Sequence, residues 1–293
     1  MHYCLGVSHD MVDEVILSLS CPDRPGIVHA VTGWVLEHGG DIVDSQQFGD
    51  RASGRFFMRV DTRFAQPAGL ADLQSHFVPV ADELGMEWSL TSADHRLRVM
   101  IMVSRFGHCL NDLLFRWRAG QLPIEIPLIV SNHPDLEPLA TTYGIPFLHL
   151  PITKDSKPEA EARLLSLVEE HEIELVVLAR YMQILSDDLC RQLSGRAINI
   201  HHSFLPGFKG AKPYHQAYER GVKLVGATAH YVTADLDEGP IIEQEVHRVS
   251  HALSADDLVV AGRDAECIAL ARAVQWHAER RVLLNGNRTV VFP

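Results

Sequence analysis

The chain has 293 residues, 46% hydrophobic and 22% charged, which is ordinary for a folded globular protein and long enough for two domains. Its formal net charge of −12 argues against nucleic acid or an anionic membrane as the main partner, so any anionic ligand must be met by local groups. Five scattered cysteines without a Cys-x-x-Cys pair read as reduced thiols in a cytoplasmic protein, no apolar run reaches the ~20 residues of a membrane span, and Met1-His2-Tyr3-Cys4 does not open a secretory signal.

The first ~90 residues have their own rhythm. A strand over 15–20 runs into a turn, Pro22-Asp23-Arg24-Pro25-Gly26. The helix that follows places Ile27, Val31, Trp34 and Val35 on one face and ends at Gly39-Gly40. Strands over 41–48 and 55–62 flank a turn through 49–54, and a helix over about 70–84 leads to a strand over 86–91. The order β-α-β-β-α-β predicts a ferredoxin-like α+β domain over residues 10–92, with 92–96 as linker.

From Leu97 strands and helices alternate, which predicts a doubly wound, mostly parallel α/β sheet over 97–293. The apolar strands are 97–103, 126–130, 147–150, 175–179 and 197–201, and helices start near Cys109, Leu136, Glu159 and Asp187. Leu164, Leu165 and Val168 give the third of these its buried stripe; Ser186 caps the fourth and Gly195 ends it. A strand over 224–232, a polar loop closed by Gly239-Pro240, a long helix opened by a capping box at Ser254-Ala255-Asp256-Asp257, and a last strand over 288–292 complete the chain.

In such sheets ligands bind beyond the carboxyl ends of the strands. Asn199 and His201, two apart, share a strand face at such an end, within the run Asn199-Ile200-His201-His202-Ser203-Phe204-Leu205-Pro206-Gly207-Phe208-Lys209-Gly210. Asp237 sits in the polar loop, and His202 reads as structural or as a support behind the site residues, facing away from His201. Singly, each has a bland explanation: a strand-end amide, a buried histidine, a solvated carboxylate. Together they offer a donor, a group titrating near neutrality and a base. Seventeen histidines bring no His-Glu-x-x-His motif and no zinc spacing, so no metal is expected.

Three motifs carry a resemblance: Asn199 to Pro206, Leu178-Ala179-Arg180-Tyr181-Met182-Gln183-Ile184-Leu185-Ser186, and Leu236-Asp237-Glu238-Gly239-Pro240-Ile241-Ile242. The chain resembles the formyltransferase-fold enzymes that use 10-formyltetrahydrofolate, and within them the formyltetrahydrofolate deformylases. Around Cys21-Pro22-Asp23-Arg24-Pro25-Gly26-Ile27 it is similar to an ACT domain, the small-molecule-sensing module that deformylases place before the catalytic domain. The resemblance implies catalysis by Asn199, His201 and Asp237. It also implies a pterin pocket drawing on Arg180, Met182, Gln183, Ile184, Leu185 and Gly239, with His230 as site wall or strand packing. Asp237 either takes the water proton or orients the imidazole. The reaction implied is hydrolysis of 10-formyltetrahydrofolate in one-carbon and purine metabolism, with no cofactor beyond the folate substrate.

The glycinamide ribonucleotide transformylases follow their first strand with a Gly-x-Gly-Ser-Asn phosphate loop. Here Val103-Ser104-Arg105-Phe106-Gly107-His108 keeps one glycine, which disfavours a nucleotide acceptor and leaves water. A formyltransferase with another acceptor and a non-catalytic folate or amino-acid sensor stand as alternatives. Asp23, Arg24, Pro25 and Gly26 precede a helix whose amides suit a carboxylate, and the resemblance implies methionine or glycine as effector. A ferredoxin-like domain leaves an open sheet edge and one bare sheet face, which predicts a homodimer or homotetramer held by residues 10–92.

Overall fold

The computed structural model describes residues 11–153, 155–205 and 213–293; the expectations placed on Met1–Cys4 and on Pro206–Gly210 lie outside them. The chain divides into two compact units. The first runs to His95 and takes in Glu279–Asn285 and Val290–Pro293; the second comprises Arg96–Ala278 and Gly286–Thr289.

In the first unit, β1 (Met11–Pro22), α1 (Ile27–Glu37), β2 (Gly40–Asp50), β3 (Arg55–Gly69), α2 (Leu70–Leu84) and β4 (Glu87–Ser92) build an antiparallel sheet of order β2-β3-β1-β4. Alternate residues of β1 (Val15, Leu17, Leu19 and Cys21) face one core with Ile27, Val31, Trp34 and Val35 of α1 and Leu73 and Phe77 of α2. That is the ferredoxin-like arrangement. The C-terminal residues, expected at the end of the second domain, group with this one. Arg59 Nε donates to the Glu279 carbonyl at 3.1 Å, and Asn285 Nδ2 donates to Asp50 Oδ2 at 2.8 Å.

The second unit holds β5 (Leu97–Val103), α3 (His108–Arg118), β6 (Ile124–Ser131), α4 (Glu137–Tyr143), β7 (Phe147–His149), α5 (Lys157–Glu170), β8 (Leu175–Leu178), α6 (Asp187–Gln192), β9 (Ala197–His201), α7 (Pro213–Glu219), β10 (Leu224–Tyr231), β11 (Ile241–Arg248) and α8 (Ala255–Ala278). β12 (Val282–Asn285) and β13 (Arg288–Val291) pair as a two-stranded sheet. The main sheet has the order β11-β10-β9-β8-β5-β6-β7, parallel except at β10, which runs antiparallel to both neighbours. The chain leaves β5 outward through β6 and β7, then returns to β8 on β5's other side. That reversal puts the carboxyl ends of β5 and β8 at a switch point, where open sheets leave a crevice. The predicted caps form: Ser186 Oγ accepts from Leu189 N, and Ser254 and Asp257 bond reciprocally. On α5 the inward stripe is Leu164, Leu167 and Val168, with Leu165 only partly covered.

β11 and α7 were not legible in the sequence. β11 is an edge strand whose polar run (Glu243, Gln244 and Glu245) breaks the expected alternation; the β10 ladder holds it in place, and Arg272 pairs with Glu245 at 2.7 Å. A Cβ at Gly226 of β10 would stand 2.2 Å from the Glu245 carbonyl oxygen across that ladder, with no flexible side chain to yield. Gly226→Ala is therefore expected to destabilise the protein by roughly 1–3 kcal/mol. A chemical denaturation midpoint equal to that of the parent would contradict this packing.

Candidate functional site

Three segments meet beyond the carboxyl ends of β8 and β9. Ser104, just past β5, donates through Oγ to Asn132 Oδ1 at 2.7 Å and accepts from Met182 N at 2.9 Å, which ties the segment after β8 to the switch point. Arg180, two residues past β8, has φ of 65°, a left-handed turn that non-glycine residues seldom take. Asp237 lies in the loop between β10 and β11, also left-handed at φ 58°, inside a tight turn closed by Glu238 N to Asp235 O at 3.2 Å. Aspartate tolerates that conformation better than most residues.

These turns surround a cavity of about 300 Å³. Asn199 and His201 share one face of β9, and the antiparallel register of β10 sets His230 directly opposite Asn199. Asn199 Nδ2 lies 3.2 Å from His230 Nε2, and His230 Nδ1 lies 2.8 Å from the Tyr231 carbonyl. A neutral His230 satisfies both only with its proton on Nδ1, accepting at Nε2 from the amide. Burial pushes this imidazole below the usual histidine range, against the bond to Tyr231. One N–H of Asn199 is thereby used, and the amide is held in orientation.

His201 Nδ1 lies 3.1 Å from Asp237 Oδ1. Burial pushes the Asp237 carboxyl up, but the hydrogen bond from His201 and the charges of His201, His230 and His202 outweigh it, so the group stays ionised below the usual carboxylate range. The carboxylate fixes the His201 tautomer, with the proton on Nδ1. His201 Nε2 is buried and has no protein partner. An imidazole so held takes a proton at Nε2 when neutral and donates one from it when charged.

The remaining wall is apolar. Met182 and Ile184 are 51% and 63% exposed, Leu236 joins them at the rim, and Leu185 lies buried beneath. Large apolar side chains left in solvent beside a polar floor suit a flat heteroaromatic ligand.

Beside the cavity lies a second polar cluster that the sequence reading did not find. Glu266 of α8, 1% exposed, accepts from Tyr214 Oη at 3.1 Å and from His108 Nε2 at 2.8 Å, and stands 3.4 Å from Arg180 Nε. The Arg180 guanidinium lies over the Phe106 ring, 5.4 Å from its centroid. Burial pushes the Glu266 carboxyl up, yet the His108 bond and the Arg180 charge leave it below the usual range. A carboxylate on the otherwise apolar face of α8 (Leu258, Ala265, Ala269 and Ala273) was the available signal. His108, Cys109 and Glu266 bring donor atoms within 4.8 Å of one another, a cluster invisible in linear spacing; here Glu266 is already shared among His108, Tyr214 and Arg180.

Of the residues singled out from the sequence, Asn199, His201, Asp237, Arg180, Met182, Gln183, Ile184, Leu185 and His230 all line the cavity. Gly239 does not. It serves a close approach instead: a Cβ there would fall 1.8 Å from the Tyr231 carbonyl oxygen. His202 corrects the expectation. β9 ends at His201, so the strict alternation of faces stops there, and the His202 ring turns into the cavity wall 5.1 Å from that of His201. In the first unit, Asp23, Arg24, Pro25 and Gly26 form an exposed turn into α1. Gly26 has φ 97°, no side chain caps the helix, and Arg24 donates to the Glu83 carbonyl at 2.6 Å. Among the described residues the cysteines Cys21, Cys109, Cys190 and Cys267 are free thiols, and no helix is long and apolar enough to cross a membrane.

The formyl transferase family matches residues 97–274 and the ACT domain residues 15–75. A formyltetrahydrofolate deformylase of Corynebacterium sp. (strain P-1) is 57% identical over 94% of this chain and 97% of its own. The solved deformylase of Burkholderia mallei is 53% identical, with a TM-score of 0.93 over 96% of this chain and 100% of that one. The glycinamide ribonucleotide transformylase 1 of Symbiobacterium toebii is 31% identical, with a TM-score of 0.63 over 68% of this chain and 95% of that one.

Burial, with Arg180 and His201 adding to it, pushes His202 from 6.5 down to about 4. The unfolded chain therefore takes up this proton first as pH falls, so stability declines below 6.5 and levels off near 4. His202→Asn is expected to flatten the fall in melting temperature across that window. An acid limb of unchanged slope would remove His202 from the account.

Proposed function

Because the chain belongs to the formyltetrahydrofolate deformylases, within the formyl transferase family, we propose that its cavity is where the formyl C–N bond of 10-formyltetrahydrofolate meets water. The enzyme hydrolyses 10-formyltetrahydrofolate to formate and tetrahydrofolate. The observation that carries the placement is the His201–Asp237 pair, with its bare Nε2 in a cavity rimmed by exposed apolar side chains.

Water attacking a formyl carbon builds negative charge on the carbonyl oxygen, and the folate amine leaves well only when protonated. Asn199, its amide held by His230, donates to that oxygen from its second N–H; removing one such donor typically costs ~3 kcal/mol of barrier. His201 takes the water's proton at Nε2 as the water attacks, and hands it to N10 as the C–N10 bond breaks. Asp237 orients the imidazole and supports its transient positive charge through Oδ1, and holds the attacking water through Oδ2. Met182, Ile184, Leu185 and Leu236 supply the apolar bed for the pterin, with Gln183 and the backbone of 180–185 as polar partners. Acid–base work and hydrogen-bond donation are all that this scheme asks, so it calls for no metal or cofactor.

We read the reaction as part of one-carbon metabolism in the cytoplasm, with purine biosynthesis as a consumer of the formate. The ACT domain acts as a regulatory and oligomerising module. Its Asp23–Gly26 turn receives the carboxylate of methionine or glycine at the bare α1 N-terminus, and its sheet pairs with a second copy in a dimer or tetramer.

Formate is expected from purified protein and 10-formyltetrahydrofolate alone. Asp237→Asn should lower turnover by roughly 10²–10⁴-fold. Tetrahydrofolate binding, measured calorimetrically, should persist in that variant; near-parental turnover would reduce Asp237 to a loop residue. For the ACT domain, full-length protein should sediment as an oligomer, and formate release should respond to methionine or glycine. A monomer, or indifference to both amino acids, would overturn the corresponding half.

A further inference from the structure

Arg180 breaks local rules that a cavity wall has no need to break. Its left-handed backbone is strained for any residue but glycine. Its side chain is only 10% exposed, so its charge is taken out of water and set against Glu266. The 3.4 Å ion pair lies off the line of a hydrogen bond, and Nε and Nη1 are buried donors without a protein acceptor. Strain, desolvation and unmet donors at one residue mark a functional constraint.

The position shows what the constraint is. Arg180 lines the cavity with His201 and His202, while its guanidinium contacts Phe106 and Glu266, neither of which lines it. Beyond Glu266, His108 and Cys267 border an open cleft of about 770 Å³ between α3 and α8. Arg180, Glu266 and His108 thus form a continuous side-chain link from the wall of the catalytic cavity to the surface cleft.

Resting on the hydrolase reading above, we infer that Arg180, held by Glu266 and Phe106, is the acceptor filter of the site, admitting water and rejecting amines. Size is one part: the guanidinium, stacked on Phe106, occupies wall space of the cavity that a bulky amine would need. Charge is the other. An amine in water at neutral pH is largely an ammonium ion, and a buried guanidinium repels it, while the unmet N–H donors suit a water oxygen. With an amine acceptor the atoms balance as in hydrolysis. The amine nitrogen bonds to the formyl carbon and loses a proton, the C–N10 bond breaks, N10 gains a proton, and a formamide replaces formate.

Arg180→Gly tests the idea cleanly, because glycine adopts φ 65° without strain and the side chain alone is lost. Enzyme and 10-formyltetrahydrofolate are incubated with excess glycinamide, and the ratio of formylated amine to formate is read by mass spectrometry. This ratio does not depend on total turnover. The parent should give formate almost alone, and Arg180→Gly should raise the ratio roughly tenfold or more, as removal of a repulsive element does. Phe106→Ala, which trims an exposed ring, should raise it less, and Arg180→Lys should keep it near the parent's. A ratio in Arg180→Gly equal to the parent's would overturn the filter. Absence of formate from the parent without amine would instead overturn the hydrolase reading.

Discussion

The site depends on keeping Asp237 ionised where burial pushes it toward the neutral form, and the arrangement around it answers that demand. His201 bonds to it and two further histidines lie within its field, so the net shift runs downward. His230 and His202 shift downward in their turn, since burial disfavours a charged imidazole on β10 or beside Arg180 more than the carboxylate favours it. One negative charge therefore sits among imidazoles of which only His201 touches it within hydrogen-bonding reach. That division gives His201 a fixed tautomer and a single direction in which to move a proton.

Geometry supplies what electrostatics cannot. The reversal of chain direction at β10 puts His230 opposite Asn199, so an amide otherwise free to rotate is held by an imidazole whose own proton is committed to the Tyr231 carbonyl. Two left-handed residues, Arg180 and Asp237, turn the chain back over the cavity. Gly239 lets its loop approach the β10 backbone at a distance no side chain would allow. Buried Glu266 gathers His108, Tyr214 and Arg180 behind the same wall. Two of the four left-handed non-glycine residues among the described ones, Arg180 and Asp237, stand at this cavity, consistent with local rules being broken where chemistry is done.

Much was legible in the sequence because it rests on local physics. The period of apolar residues gave the ferredoxin-like order and the alternating strands of the second unit, and the caps at Ser186 and Ser254 formed as their side chains dictate. The two-residue spacing of Asn199 and His201 fixed their shared face, and the carboxyl-end rule placed them at the crevice. The resemblance in three motifs pointed to the family to which the chain belongs.

The tertiary structure alone decided the rest. An edge strand such as β11 owes its form to the ladder of its neighbour, not to its own pattern. The turn of His202 into the cavity follows from where β9 stops, and the return of the last residues to the first unit follows from partners more than two hundred positions away. The Arg180–Glu266 pair joins residues 86 positions apart through packing that no spacing encodes. Periodicity and capping are properties of a few consecutive residues, so one chain suffices to read them. Which buried charge meets which partner depends on how distant segments close over one another, and only the folded molecule fixes that.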